Sequence, residues 1–290
     1  MKVEVEEKKA SVSPKFRKRL LLGLTYLSLA FFAFVAVLPL VSVLITSLKT
    51  NEEYATTNVM SLPQKINIAN FADAFKTANM GVAFLNSTII LVFVLAISTL
   101  LGTQLAYVLN RFKFKGNGLI RNLFLFATLL PGIAMQVSVY EIMTNLHLIN
   151  HIYGYIILMC GTDIISIYVY IQFFENIPIS LDESGIMDGA GYFRVYWSIL
   201  LPLLKPAIVT SCILKGVGTY NEYYCANLYL QDKTRFATVA TSLYTFVGPL
   251  GSQYNMICAG VIISLLPALI VFITCQNQIY SGLTSGAVKG

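Results

Sequence analysis

The sequence predicts an all-α membrane protein whose chain crosses the bilayer six times. Of its 290 residues, 56% are hydrophobic and 12% are charged, which is more apolar surface than a soluble core of this length can bury. The apolar residues form six long stretches, and crossing the roughly 30 Å hydrocarbon layer takes about 20 helical residues. Because these stretches are continuous and do not alternate with polar residues, helices are favoured over the strands of a membrane barrel.

The six predicted spans are separated by polar loops. They lie near Leu20–Leu48, Val82–Leu109, Leu119–Met143, Tyr155–Phe174, Ala207–Leu228 and Tyr254–Tyr280. The first is expected to be retained, because its apolar core is longer than that of a secretory signal and no A-x-A pattern follows it. We therefore expect a basic tail at residues 1–19 and one membrane domain at 20–290, with a core at about 82–280 and a long loop at 175–206.

Basic residues predict how the chain is oriented. Both termini and the loops on their side carry 14 Lys and Arg, whereas the opposite side carries five. Because these residues accumulate in cytoplasmic loops, the N and C termini and the 175–206 loop are predicted to be cytoplasmic. The net charge of +6 is spread over these loops, so no separate basic domain remains to bind nucleic acid.

No metal site or disulfide framework is predicted. The five cysteines lie in apolar stretches without CxxC spacing, as expected of small packing residues in a membrane interior. His147 and His151 have the four-residue spacing of a metal pair, but a metal site would need further Cys or acidic ligands near them.

The 175–206 loop has more internal pattern than a simple connection requires. Pro178 and Ser180 begin a predicted short helix, whose first turn carries Asp182 and Glu183, where the helix dipole favours acidic side chains. Glycines follow where a chain can turn or be approached closely: Gly185, Gly189 and Gly191.

The second half of this loop predicts an amphipathic helix. The stretch Tyr192–Leu201 has aromatic residues at helical spacing, and Pro202 and Pro206 are expected to break that helix and to begin the next span. A surface hairpin with its aromatic side chains at the membrane interface would account for Trp197, but not for the Asp188-Gly189-Ala190 triplet.

The segment Glu183-Ser-Gly-Ile-Met-Asp188-Gly189-Ala190-Gly191, followed by Ile199-Leu-Leu-Pro202-Leu-Leu-Lys-Pro206, resembles the EAA coupling loop of type I ABC importer permeases. The family pattern is E-A-A-x-x-D-G-A-S, followed by L-P-L-x-x-P. Ser184 and Gly185 replace the two alanines and Gly191 replaces the serine, while the glutamate, the Asp-Gly-Ala triplet and both prolines match.

Other segments resemble the carbohydrate-importing, MalG-like branch of this family, which has G-x-W-N-D-F in the fifth span and G-L-T-x-G-A-V-K-G at the C-terminus. The resemblance extends from about Ser11 to Gly290. The matching segments are Asn86-Ser87, Arg111-Phe-Lys-Phe-Lys-Gly116, Pro131-Gly132, Gly218-Thr-Tyr-Asn221-Glu222-Tyr223 and Gly282-Leu-Thr-Ser-Gly-Ala-Val-Lys-Gly290.

The resemblance implies a division of labour in the bacterial inner membrane. The family combines a MalG-like and a MalF-like permease with two ABC ATPases, which bind ATP and Mg²⁺, and an extracytoplasmic solute-binding protein. This chain has no G-x-x-x-x-G-K-[ST] phosphate loop, so we expect a transport subunit without catalytic residues or a cofactor of its own. The residues expected to contact an ATPase are Glu183, Gly185, Asp188, Gly189, Ala190 and Gly191.

Ionisable and aromatic side chains within the spans are candidates for the solute path. Charged groups inside a membrane usually face protein or water, and Lys215 and Glu222 would share a face of one predicted helix. Alternatively they pair with each other or with the partner permease, or Lys215 reaches the interface along its stem. Tyrosines stack on sugar rings but more often pack against helices. The candidate path residues are Lys215, Tyr220, Asn221, Glu222 and Tyr223.

The predicted function is uptake of a carbohydrate, in particular an oligosaccharide, coupled to ATP hydrolysis by partner subunits. A modified or acidic sugar is an alternative solute, because four ionisable residues lie within spans: Glu141, Asp163, Lys215 and Glu222. An ion-coupled secondary transporter would use those charges but would leave the 175–206 loop unexplained. An intramembrane enzyme would need convergent catalytic groups, and neither histidine lies within a span near a carboxylate.

Overall fold

A computed structural model describes residues 14–161, 163–248 and 251–287 of the chain. In chain order its α-helices are α1 (Pro14–Ser47), α2 (Asn51–Thr56), α3 (Ala69–Thr77), α4 (Met80–Arg111), α5 (Asn117–Thr128), α6 (Gly132–Asn145), α7 (Ile152–Met159), α8 (Ile164–Asn176), α9 (Ser180–Met187), α10 (Tyr192–Arg194), α11 (Leu201–Leu203), α12 (Lys205–Asn221), α13 (Tyr224–Tyr229), α14 (Lys233–Phe236), α15 (Val239–Ser242) and α16 (Tyr254–Ala287).

Four short elements of other types complete the described secondary structure. A π-helical turn, Val195–Leu200, joins α10 to α11, and a 3₁₀ turn, Leu243–Phe246, follows α15. Strands β1 (Val247–Gly248) and β2 (Gly251–Ser252) pair antiparallel. The predicted all-α class is therefore confirmed, with this small hairpin as an addition.

Within the described part of the chain, three helices are long and apolar enough to cross a membrane individually. They contain Leu21–Ser47, Met80–Arg111 and Tyr254–Gln276, and they confirm the predicted first, second and sixth spans as continuous helices. Most large apolar side chains of α1 are exposed, as is typical of a helix surface in contact with lipid or with another membrane helix.

Three further candidate spans are pairs of helices joined by a sharp bend. The third and fourth predicted spans correspond to two of these pairs, whereas the fifth predicted span overlaps only the second helix of the remaining pair. The bends are 104° between α5 and α6, 49° between α7 and α8, and 73° between Tyr192–Leu203 and α12. Counting each pair as one span brings the total to six. The expectation of one continuous helix over Leu119–Met143, and of another over Tyr155–Phe174, is therefore wrong.

Two of these bends have clear local causes. Pro131 lies between α5 and α6 with extended backbone angles. Proline has no N–H to continue a helix and disfavours helical geometry in the residue before it, so the helix is interrupted here. Asp163 begins α8 as its N-cap, accepting hydrogen bonds from the Ser166 N–H at 3.5 Å and the Ser166 hydroxyl at 2.6 Å. Such a cap satisfies the free N–H groups of a new helix.

The fifth span also differs from its prediction. α12 ends at Asn221, not near Leu228, and Glu222 leaves the helix with φ −69° and ψ 104°. Pro202 does not break the preceding helix, which continues to Leu203 before it bends. Pro206 lies in the first turn of α12 as predicted, where a missing N–H costs no hydrogen bond.

α4 lies at the centre of the packed helices, in contact with α7, α8 and α12. Gly102 lets α8 approach closely, since a Cβ there would lie 3.1 Å from Cε2 of Tyr170. Small residues at such crossings allow membrane helices to pack backbone to backbone. The 175–206 loop packs on the C-terminal half of α4 through Tyr196, which contacts Thr103 and Tyr107, and this packing positions the candidate site.

Candidate functional site

The first helix of the 175–206 loop ends in a turn that requires glycine. Gly189 follows α9 with φ of +83°, a left-handed conformation that glycine adopts without steric cost. Its N–H donates to the Ile186 carbonyl at 2.9 Å, and the Ala190 N–H donates to the Gly185 carbonyl at 3.0 Å. These two bonds form a Schellman motif, which closes the C-terminus of a helix.

Gly185 allows α9 to lie directly on the π-helical turn of the same loop. A Cβ at this position would lie 2.7 Å from Cδ1 of Ile199 and 3.2 Å from Cγ2 of Val195. The family pattern has alanine here, so the replacement in this chain matches a closer approach of the two segments. Gly185 is buried, so it contributes to the packing within the loop and not to the exposed surface of the loop.

Three other predicted contact residues, Glu183, Asp188 and Gly189, lie on an exposed surface together with Met187, and we call these four residues the loop tip. All four are exposed, Met187 to 86%. Gly191 is exposed next to the tip, while Ala190 is half-buried and packs against the core below. Met187 was missed by the sequence analysis because it occupies a variable position of the family pattern, and its exposed side chain adds an apolar surface to the acidic tip.

A buried ion pair, which the sequence analysis did not identify, joins α9 to the end of α4. Arg111 Nε donates to Asp182 Oδ1 at 3.2 Å, and Arg111 Nη2 lies 3.2 Å from Asp182 Oδ2. The side chains are only 8% and 11% exposed. From the sequence, Arg111 was predicted only to be a basic residue of a cytoplasmic loop and part of a segment that resembles the family. Nothing in a single sequence indicates a partner 71 positions away.

Aromatic side chains form the core between this loop and the spans. Tyr196, in the π-helical turn, is buried, and its hydroxyl lies 2.9 Å from Oγ1 of Thr103 in α4. Its ring packs on Tyr107 with centroids 5.4 Å apart. Trp197 is half-exposed and stacks on Phe193 at 6.2 Å, so only part of the aromatic set faces outward.

The predicted arrangement of Lys215 and Glu222 on one helix face is wrong. Glu222 lies beyond the end of α12, where its Oε1 accepts a hydrogen bond from the Cys225 N–H at 2.9 Å. A carboxylate that accepts from a backbone N–H in this way favours a new helix, here α13, over continuation of the old one. The two residues also form no ion pair with each other, since the described ion pairs are Arg111–Asp182 and Arg235–Asp232.

Lys215 instead faces a small polar cavity between α4, α8 and α12. The cavity, of about 10 Å³, is lined by Leu95, Ser98, Thr99, Asp163, Ser166, Tyr170, Ser211, Cys212 and Lys215. This is about the volume that one water molecule needs. Asp163 and Lys215 therefore share a polar site among the helices, although they lie on different elements.

The remaining candidate path residues divide into packed and open positions. The Tyr220 hydroxyl donates to the Ser264 carbonyl of α16 at 2.8 Å, and the Tyr223 ring stacks on Tyr244 at 3.9 Å. Both tyrosines thus contact protein, the alternative considered for them. Asn221 is exposed.

The histidine pair does not converge with other ligands. His151 Nδ1 lies 2.8 Å from the Ile149 carbonyl. Within residues 14–161, 163–248 and 251–287, no three His, Cys, Asp or Glu side chains cluster closely enough to hold a metal ion.

Comparison with known proteins gives matches over nearly the whole chain. The family model for the inner membrane component of binding-protein-dependent transport systems matches residues 98–280. The maltodextrin transport system permease protein MalD of Streptococcus pneumoniae is 31% identical, over 96% of this chain and 99% of that protein. The probable starch degradation products transport system permease protein AmyC of Thermoanaerobacterium thermosulfurigenes is 30% identical, over 87% and 91%.

A solved structure has the same fold. A chain of a bacterial ABC transporter involved in the import of the acidic polysaccharide alginate superposes with a TM-score of 0.78 at 20% identity, covering 93% of this chain and 99% of that chain. The overall fold of this chain is therefore one seen in a solved structure.

Proposed function

Because the chain belongs to the family of inner membrane components of binding-protein-dependent transport systems, we propose that it is the permease subunit for ATP-driven uptake of an oligosaccharide. It is a multi-pass protein of the inner membrane. The named solutes of its relatives, maltodextrin and starch degradation products, support an oligosaccharide as its own solute. A second homologous permease would complete the pathway.

The exposed side chains of the loop tip are the observation that supports this proposal most directly. The loop tip presents the carboxylates of Glu183 and Asp188 beside the exposed side chain of Met187, on a short helix closed by a glycine turn. A small helix with an apolar side chain between acidic ones suits insertion into a cleft of another protein. We assign this cleft to a partner ATPase, which binds ATP and Mg²⁺.

The mechanism follows from how the loop is attached. α9 follows α8 directly, and the segment Tyr192–Leu203 leads into α12. When ATP closes the two ATPases, movement of the loop tip would therefore displace the fourth and fifth spans together. Alternation between inward- and outward-facing states needs such a two-state element, biased by ATP on one side and by the loaded solute-binding protein on the other.

The solute path is proposed to run past the polar cavity at Lys215. Lys215 and Asp163 offer a donor and an acceptor between three helices, and Asn221 is exposed near the end of α12. Sugar hydroxyls need partners of both kinds. Glu222, Tyr220 and Tyr223 would act on the path mainly by holding α12, α13 and α16 in place.

The direct test is Asp188→Lys in the complex of both permeases, the ATPases and the binding protein. Reversing a charge on the loop tip is expected to abolish ATP-coupled uptake, either because the ATPases no longer bind or because hydrolysis no longer drives transport. Uptake is measured with a panel of maltodextrin, raffinose and arabinooligosaccharides. Glu175→Lys is the matched control, an exposed acid at the start of the same loop, and is expected to transport normally.

Two outcomes contradict the proposal. Normal uptake by Asp188→Lys would remove the loop tip from coupling. Uptake by this chain alone, without ATPases and driven by an ion gradient, would favour a secondary transporter.

A further inference from the structure

The side chain of Arg111 lies at a junction of three helices. It is the last residue of α4, and besides Asp182 in α9 it contacts the carbonyl groups at the end of α8. Arg111 Nη1 donates to the Phe174 carbonyl at 3.2 Å, and Nη2 donates to the Ile177 carbonyl at 2.9 Å. Its guanidinium also lies 5.9 Å from the centre of the Phe174 ring.

These contacts use several N–H donors of the planar guanidinium group, whose directions are fixed relative to one another. The carbonyls that end a helix have no partner within it, and a cation near them also opposes the negative end of the helix dipole. Asp182 lies in the first turn of α9, where a carboxylate is favoured for the opposite reason. One buried guanidinium therefore satisfies the end of α8 and the beginning of α9 at the same time, which a lysine with its point charge could not do equally.

The covalent chain does not connect α4 to the loop directly. α9 is linked through the backbone to α8 on one side and, through the π-helical turn, to α12 on the other. A movement of α9 reaches the second span only through side-chain contacts. Among the described residues, the Arg111–Asp182 pair is the ion pair that joins α9 to α4, and the contact of Tyr196 with Thr103 joins α4 to the π-helical turn.

We propose that Arg111 is a positioning residue that makes α4, α8 and α9 move as one body during transport. This proposal rests on the proposed function, because it assumes that a partner ATPase displaces α9. The Arg111–Asp182 pair then carries that displacement into the second span, whose middle lines the polar cavity at Lys215. Without the pair, α9 still docks but α4 follows it less closely, because only the apolar core and the Tyr196–Thr103 contact then join α4 to the loop.

The experiment compares Asp182→Asn, Arg111→Gln and the double variant in the assembled transporter. Three quantities are measured: ATPase subunits retained on purification, ATP hydrolysis stimulated by the loaded binding protein, and solute imported per ATP hydrolysed. The solute is the member of the oligosaccharide panel that the unaltered complex imports. Lys113→Gln is the matched control, because it removes an exposed positive charge two residues from Arg111.

We expect Asp182→Asn to retain the ATPases within about twofold of the unaltered complex and to lower import per ATP about tenfold, a coupling change of the size that such networks produce. The double variant should be no worse than Arg111→Gln, because residues that act as one unit give non-additive losses. Arg111→Lys should recover part of the import, and Lys113→Gln should match the unaltered complex.

Three results would overturn the proposal. They are import per ATP unchanged in Asp182→Asn, additive losses in the double variant, and loss of bound ATPases in Asp182→Asn, which would indicate a purely structural ion pair. Failure of the proposed function is distinguishable, since the unaltered complex would then import no oligosaccharide on ATP hydrolysis, and the present proposal would fall with it.

Discussion

Gly189 belongs to the loop tip and Gly191 lies next to it, two residues further on, but the backbone dihedral angles of the two glycines differ. Gly189 has φ of +83°, whereas Gly191 has φ −71° and ψ 161°, which any residue adopts. A Cβ at either position would meet no atom within 4 Å. Only the backbone conformation therefore distinguishes the two positions.

Gly189→Ala should loosen the end of α9, because an L-residue in the left-handed region costs about 1–2 kcal/mol. The Schellman bonds of the Gly189 and Ala190 N–H groups would open more often, and amides of a peptide covering α9 should exchange with deuterium about tenfold faster. Gly191→Ala is the matched control and should exchange at the unaltered rate. Equal exchange in the two variants would refute the left-handed turn.

Lys215 and Glu222 are expected to respond differently to neutralisation. Lys215→Met removes a charged donor from the polar cavity, so the uptake rate or the apparent affinity for solute should fall about tenfold, the loss of one charge-assisted hydrogen bond. Glu222→Gln keeps an oxygen that accepts from the Cys225 N–H, so uptake should change by less than about twofold. Uptake assays at several solute concentrations separate the two effects. Unchanged uptake in Lys215→Met would remove this residue from the path.

At the residue scale, the sequence predicts which residues are functional candidates better than it predicts which residues contact each other. The Glu183 and Asp188 positions followed from a local pattern, and the structure exposes both on one tip. The Arg111–Asp182 pair and the Lys215–Asp163 cavity join residues on separate helices. Such contacts depend on how helices pack, and a single sequence contains no direct signal for them.

At the element scale, the bends occur where a local helix-ending or helix-starting residue lies inside an apolar stretch that is long enough to be one span. The stretch Leu119–Met143 is long and apolar enough to suggest one span, yet Pro131 lies near its middle and the chain turns by 104° between α5 and α6. The proline rule predicts a break at this position, whereas hydropathy counts only apolar length. Similarly, Asp163 is both an ionisable residue within a predicted span and an N-cap, and the second role was not anticipated.

The segment after α1 is organised by a buried lysine. Lys49 is fully buried, and its Nζ donates to the Asn58 carbonyl at 2.7 Å, Ser61 Oγ at 3.0 Å and Thr57 Oγ1 at 3.2 Å. Asn70 of α3 adds bonds to the backbone at the end of α1. The ammonium group thus holds the turn after α2 against α1.

Lys49→Met should destabilise this segment by about 2 kcal/mol, because three hydrogen bonds to a charged donor are lost and their acceptors stay partly buried. Limited proteolysis between residues 50 and 66 of the detergent-solubilised protein should become faster. Lys65→Met changes an exposed lysine of the same segment and should leave the cleavage rate unaltered. If both variants are cleaved at the unaltered rate, the buried lysine does not stabilise the turn.

For the whole molecule, the loop and the spans share one core. Ala106 and Tyr107 of α4, Phe174 of α8 and Leu200 of the π-helical turn belong to a single buried cluster. Close-packed protein interiors have low compressibility and therefore transmit strain. This core joins the loop to α4 and α8 in addition to the Arg111–Asp182 pair, so under the proposed function both contacts would pass a displacement of the loop tip to the helices within the membrane.

The orientation of the whole chain in the membrane is predicted from the distribution of positive charge, because 14 Lys and Arg lie in the loops and termini of one side and five lie on the other. In a variant lacking the five native cysteines, Lys65→Cys and Lys113→Cys introduce single thiols at exposed positions that are predicted to lie on opposite sides. A membrane-impermeant maleimide should label Lys65→Cys in intact cells and Lys113→Cys only after permeabilisation. The reverse pattern would put the 175–206 loop outside the cell, where no ATP-driven partner could reach its tip, so it would refute both the orientation and the coupling role.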